Sequence, residues 1–322
     1  MINSISQRQL LPENLDRLAA QRMLYSTSKI VMAIQLILSV PFVIMLSALS
    51  LFFKSAFFLE QFGRTIDISW IVMSSGILIA FLDILFLSPM IIDLKEKAAK
   101  IQELFDCDVL SLKWNAILAG PKPDLEDIIH NANKYKKKVK KNDDLIDWYS
   151  KEVEKISISA ARILCQRSNV KWDIDLRQKV NIILCILTLL TFLILLTIGI
   201  KGGLNVEKFI MIVLAPCLPI FYFSIRFFLH NKKSISSLSN LKEQSDKAWN
   251  DTKNSFLPDK NLENIARQLQ DAIFVNRKAN PLIFDKIYKK FKSHQEDLMN
   301  CSCKQMISEY KENRTWKCGE EM

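Results

Sequence analysis

Glycine and proline are scarce in this chain, 7 and 9 among 322 residues. With so little turn chemistry long helices are favoured over a many-stranded sheet. Histidine is scarcer still, with only His130, His230 and His294, none beside an obvious nucleophile, so a histidine acid or base has few places to act. No strand-borne G-x-G-x-x-G, no P-loop, no H-E-x-x-H and no G-x-S-x-G occurs, which removes the common nucleotide, zinc-protease and serine-hydrolase templates. The expectation is a protein that is not an enzyme and carries no cofactor. The seven cysteines are odd in number and two of them, Cys185 and Cys217, lie in apolar stretches. A closed disulfide framework is therefore not expected, and reduced thiols in a cytoplasmic setting fit better. A cleavable signal peptide is also not expected, because Arg8, Glu13, Asp16, Arg17, Arg22 and Lys29 precede any apolar run.

What the chain has in quantity is apolar residue, 49% of the total, alongside 24% charged. The two demands are met by different segments, and the pattern predicts an all-α integral membrane protein with four transmembrane helices arranged as two hairpins. Residues 30–53 form an uncharged run between Lys29 and Lys54, long enough at ~1.5 Å per residue to cross a ~30 Å hydrocarbon core. Residues 69–92 form the second run, broken only by Asp83, and close the first hairpin (residues 30–92). Residues 180–200 and 209–229 form the second hairpin, joined through Lys201-Gly202-Gly203.

Basic residues set the orientation. Arg17, Arg22 and Lys29 precede the first span, Lys95, Lys97 and Lys100 follow the second, Arg177 and Lys179 precede the third, and Arg226, Lys232 and Lys233 close the fourth. The hairpin loops hold few, so both termini and the central segment are expected on the cytoplasmic side of a bacterial inner membrane. This gives an N-terminal cytoplasmic helix (1–29), a central cytoplasmic segment (93–179) and a C-terminal one (230–322). Leu94, Ala98, Ile101, Leu104 and Phe105 share one helical stripe, as do Leu262, Ile265, Leu269 and Ile273, so the central and C-terminal segments are expected to pack as one helical domain. Asn142-Asp143-Asp144 reads as a helix start after the break at Pro121 and Pro123. The net charge of +10 is read as membrane-flanking cation rather than as a nucleic-acid footprint.

Several constellations are candidates for chemistry. Asp83 lies near the middle of the second span, where a carboxylate costs roughly 2.5–3.5 kcal/mol, so it must face protein or water. Ser69, Met73, Gly76, Ala80 and Asp83 recur at helical spacing and put small and polar residues on one face. That face is either a pore lining or a packed interface. Pro216 and Pro219 in the fourth span and Pro41 in the first invite kinks, useful for gating and also found in static helices. Cys301-Ser302-Cys303 with His294 and Cys318 has zinc-ligand types but poor spacing, and free thiols on a tail helix are the preferred reading, with no metal. Six lysines fall within residues 134–141, suited either to anionic headgroups or a phosphate-bearing ligand, or to a solvated helix face.

Four stretches, LAAQRMLYSTSK (18–29), SPMIIDLKEKAAKIQELFDCDVLSLKWN (88–115), ARILCQRSNVKWDIDLRQ (161–178) and QLQDAIFVNRKANPLIFDKIYKKF (268–291), together with the expected layout, resemble the SMODS-associating four-transmembrane effector family of bacterial antiphage systems. The resemblance covers nearly the whole chain. Its most specific part is Cys165-Gln166-Arg167-Ser168-Asn169 followed by Trp172-Asp173 and Leu176-Arg177.

The resemblance implies a membrane effector of CBASS, cyclic-oligonucleotide antiphage signalling. A nucleotidyltransferase would make a cyclic di- or trinucleotide after infection; the messenger would bind the cytoplasmic part, and the membrane part would form a pore or disrupt the inner membrane, killing the infected cell. Such a ligand needs basic groups with aromatic walls. Arg162, Arg167, Trp172 and Arg177, with Arg277 and Tyr288, supply those types; alternatively Asp173 and Asp175 pair with the arginines to fix the fold. Four helices enclose too little space for a wide pore, so a homo-oligomer is expected, with Gly76, Ala80, Asp83, Pro216 and Pro219 as pore or interface residues. The alternative function is a membrane-anchored scaffold without pore activity.

Overall fold

A computed structural model describes residues 3–139, 145–201, 205–254 and 258–320. Every regular element among them is helical. In chain order they are α1 (Ile5–Gln9), α2 (Pro12–Ile37), α3 (Val43–Phe53), α4 (Ala56–Phe62), α5 (Ser69–Leu82), α6 (Ser88–Val109), α7 (Ala116–Ala119), α8 (Leu125–Lys138), α9 (Ile158–Lys201), α10 (Val206–Lys208), α11 (Ala215–Asn254), α12 (Asp259–Ala279) and α13 (Asp285–Glu320). Pro121 and Pro123 do fall in the break between α7 and α8. The helix start expected at Asn142-Asp143-Asp144 lies outside the described residues, as do Lys140 and Lys141 of the lysine run.

The chain divides into two compact units. The first comprises Met1–Ser26, Leu94–Val180 and Asn231–Met322, and it holds the main core. Both stripes legible in the sequence turn inward: Ala98, Ile101 and Phe105 of α6 and Leu262, Leu269 and Ile273 of α12 are buried, with Leu94, Leu104 and Ile265 packed at the edge. The N-terminal half of α9 adds Ala160, Ala161, Ile163 and Leu164. Phe105 stacks on Tyr149, ring centroids 6.3 Å apart. The end of α6 is a left-handed cap: Ser111 takes φ 50° and the Leu112 amide donates back to the Cys107 carbonyl at 2.8 Å. A serine there lacks glycine's freedom, and Arg162 supports it from α9, donating from Nε to the Leu110 carbonyl at 2.6 Å and from Nη2 to the Ser111 carbonyl at 2.8 Å.

The second unit comprises Thr27–Asp93 and Asn181–His230, and many of its apolar side chains point outward. Met73 is 70% and Ile84 69% exposed, a surface that water does not tolerate but hydrocarbon does. Ser69–Val109 and Ile158–Lys201 are each long and apolar enough to cross a membrane. Residues 30–53 and 209–229 are also helical, but length and composition single out two spans among the described residues rather than four. Among the described residues three π turns interrupt the apolar helices, Leu38–Phe42, Asp83–Leu87 and Phe209–Leu214. Each has a proline at hand: Pro41 inside the first, Pro89 two residues after the second, Pro216 two after the third. A proline lacks the N–H that the carbonyl four residues earlier requires, and its ring pushes that carbonyl away, which widens the turn. The apolar part of α9 contains no proline and no π turn.

Candidate ligand site

The residues expected to hold a ligand meet different fates. Arg162 is 4% exposed and committed to the α6 cap. Arg177, also buried, donates from Nη1 to Asn231 Oδ1 at 2.9 Å and to the Pro281 carbonyl at 3.1 Å, and its Nε stands 3.0 Å from Asp173. Asn231 returns the bond, Nδ2 to the Arg177 carbonyl at 3.0 Å. Arg277 pairs with the fully buried Asp106. Asp173 thus pairs with an arginine, whereas Asp175 takes Lys171 at 2.6 Å. Trp172 and Tyr288 come together, ring centroids 6.5 Å apart. Arg167 is the member of the set that lines a cleft.

That cleft, about 380 Å³ in volume, lies between α9, α11 and α13, within the range of small-molecule sites. Arg167 enters from α9; Asp246, Trp249, Asn250 and Lys253 from α11; Ser302, Gln305, Met306 and Glu309 from α13. The spacings of three and four along α11 and α13 present one stripe of each helix to the same space. Arg167 donates Nε to Asp246 Oδ1 at 2.6 Å, and its two terminal nitrogens have no hydrogen-bond partner among the described residues. A guanidinium fork left open in this way is the group that grips a phosphate bidentately. Lys253 stands 3.8 Å from Glu309, a loose pair that an anion can displace. Trp249, 3% exposed, forms the wall and lies 5.6 Å from the ring of Tyr310. Burial works to raise the Asp246 carboxyl, but hydrogen bonds from Lys242 and Arg167 outweigh it and hold it below the ordinary carboxylate value. The stripe at 246, 249, 250 and 253 was readable as helical spacing; what the sequence conceals is that α13 faces it.

A second polar group, also concealed, lies inside the same unit. Asp106 accepts from Tyr149 Oη at 2.7 Å, from Gln270 Nε2 at 3.0 Å and from Arg277. Glu103, one turn away, accepts from Arg267 Nη2 at 2.6 Å and from Gln270 Nε2 at 2.8 Å. Burial, and then the neighbouring Asp106, push the Glu103 carboxyl above its ordinary value. Burial likewise raises the Cys107 thiol, so this cysteine is not a reactive thiolate. The group is closed and internally satisfied, which suits a structural lock better than a ligand seat.

The pattern of the SMODS-associating 4TM effector domain matches residues 3–306. The chain belongs to that effector family. It is 29% identical over 289 residues, 88% of this chain and 91% of the other, to a protein of Bacillus cereus (strain VD146) named as a probable CBASS effector molecule. No solved structure matches. Family and apolar helices together make this effector membrane-associated.

In the effector's apolar unit, the small-residue face of α5 stays open: Ala80 is exposed and a Cβ built on Gly76 meets nothing within 4 Å. Asp83 instead turns toward α2, where Gln35 Nε2 donates to its Oδ1 at 2.6 Å. Pro216 and Pro219 are helical, but their side chains lie outside the described residues. On α13, Cys303 is buried and Cys301 exposed, as expected for residues two apart on a helix. The side chain of Cys318 is outside the described residues, and among those described no three His, Cys, Asp or Glu side chains gather around a metal position.

Proposed function

We propose that this effector is a four-span protein of the bacterial inner membrane, with both termini in the cytoplasm, that serves antiphage defence. A cyclic di- or trinucleotide made by a partner nucleotidyltransferase switches it to a membrane-disrupting state, and the infected cell dies. No catalysis is involved. Membership of an effector family over residues 3–306 carries the reading, and the name of the Bacillus cereus relative supports the signalling context. The cleft on α9, α11 and α13 supports the choice of ligand site, because Arg167 and Lys253 suit phosphates. A decisive switch requires the messenger to bind the open arrangement about 10⁴-fold more tightly than the closed one. Pore formation needs several protomers, for which the open Gly76 and Ala80 face of α5 is the natural contact.

The test is dye release from liposomes carrying the purified protein, challenged with a panel of cyclic di- and trinucleotides. Release with one member of the panel is the expected outcome. Folded protein that releases nothing with any of them overturns the gated-pore reading and leaves the membrane-anchored scaffold; independently, Asp83→Leu is expected to change conductance or toxicity in a pore, whereas a passive anchor tolerates it.

A further inference from the structure

The chain passes between its two units at four places, and three of them, after Asp93, Val180 and His230, are tied within the first unit to the junction of α12 and α13. Lys95 donates from Nζ to the Ala279 and Asn280 carbonyls at 3.4 and 3.3 Å. Arg177, itself bonded to Asn231, donates to the Pro281 carbonyl. Lys179 stands with Nζ 4.8 Å from the centre of the Phe291 ring. The first turns of α13 therefore lie beside the points where the apolar segments begin, and their composition fits that position. Lys286, Lys289 and Lys290 fall three and four apart on one exposed face of α13, and none of them makes an ion pair among the described residues. Acids on the neighbouring helices have other cations: Glu96 takes Lys278 and Lys100, Asp173 takes Arg177, and Asp175 takes Lys171. On the lysine face itself the next acid is Asp297, about two turns further along. Rings flank the lysines, Tyr288 against Trp172 and Phe291 within 5.9 Å of the Lys290 ammonium. Rings with lysine stems alongside are the composition of a membrane–water interface, where the stem lies on apolar surface and the ammonium reaches phosphate.

We propose that this face of α13 is a seat for the headgroups of anionic phospholipid, with Lys286, Lys289 and Lys290 on the phosphates. Lysine ammoniums attract phosphate without the fixed geometry of an arginine fork, which suits a fluid layer of headgroups better than one oriented soluble ligand. Near an anionic surface each lysine contributes roughly fivefold in affinity, so the three together contribute about 100-fold. The seat rests on the spanning reading of the apolar unit, and on neither pore formation nor the messenger.

Full-length protein in mild detergent, melted with increasing phosphatidylglycerol or with phosphatidylcholine at equal mole fraction, provides the test. Phosphatidylglycerol is expected to raise the melting temperature by about 2–4 °C more than phosphatidylcholine. In the triple variant Lys286→Gln, Lys289→Gln, Lys290→Gln, the lipid concentration giving half that rise shifts upward about 100-fold, and in each single variant roughly fivefold. The single variants decide the matter should the triple one fail to fold. Removing the same charge from α8, with Lys134→Gln, Lys137→Gln and Lys138→Gln, is expected to leave the curve in place. Equal curves for the two lipids, an unmoved curve in the α13 variants, or an equal displacement in the α8 variant overturns the seat. Inorganic phosphate that produces the rise by itself overturns the headgroup assignment. Extraction of the wild-type protein from membranes with alkaline carbonate tests the spanning reading separately: release defeats that reading, whereas retention with coincident lipid curves defeats the seat alone.

Discussion

Asp106 has no exposed surface and holds three donors, one of them the guanidinium of Arg277 from 171 residues further along the chain. Removing one member of a buried ion pair leaves the other charged and unsolvated, which costs far more than the pair contributes. Asp106→Ala is therefore expected to lower stability by about 3–5 kcal/mol, read as a fall in the denaturation midpoint of the purified protein; a loss below about 1 kcal/mol would show that water reaches Arg277. Asp246 illustrates the opposite regime, half-exposed and held by Lys242 and Arg167. Its carboxyl lies below the unfolded value of 3.8, so the folded state binds a proton less readily than the unfolded chain. Its contribution is complete above that value and disappears as pH falls through the lower folded one. Asp246→Asn should lower stability in the neutral region by up to about 1 kcal/mol and change it little at the acid end, so that this limb of the curve flattens, which thermal melts between about pH 3 and 7 will reveal.

At the scale of the element, close approach is set by Gly199, where an added Cβ would stand 2.4 Å from the ring of Phe209. A planar ring cannot yield as a flexible chain end does, so Gly199→Ala is expected to cost about 1–3 kcal/mol. Pairing it with Phe209→Ala should recover most of the loss in thermal stability; failure to recover would place the strain elsewhere. The helices themselves were largely legible beforehand. The stripes of α6 and α12 bury as their periodicity requires, and Pro41 and Pro216 marked the places where the ladder opens. Pro89 is less telling by position, since it stands near the end of an apolar run although its effect falls on the turn that begins at Asp83. The cleft was less legible for a different reason. Its α11 stripe is regular, but the partner stripe lies on α13 with Lys253 and Glu309 drawn together from 56 positions apart, and periodicity carries no information about which faces meet. Arg162, Arg177 and Arg277 look like ligand groups by type, yet each is engaged by carbonyl or carboxylate groups from distant parts of the chain.

Over the whole molecule, the competing demands on arginine decide how a signal and the fold can be told apart. α2, α6, α9 and α11 each contribute residues to both units, so Arg162 and Arg167 share α9 with an apolar span. Arg162→Ala strips two backbone carbonyls of their donor and is expected to destabilise the protein by about 2–4 kcal/mol, with any change in messenger response following from the loss of fold. Arg167→Lys keeps a positive charge beside Asp246, which Lys242 also satisfies, and should alter stability by no more than about 1 kcal/mol. It removes the fork, and with it a bidentate contact worth roughly 10–100-fold in affinity for a phosphate ligand. Dye release titrated with the active cyclic nucleotide should therefore shift to higher concentration by that factor in Arg167→Lys at an unchanged melting temperature. A titration that coincides with wild type would move the messenger out of the α9, α11 and α13 cleft, leaving the paired rings of Trp172 and Tyr288 as the next place to look.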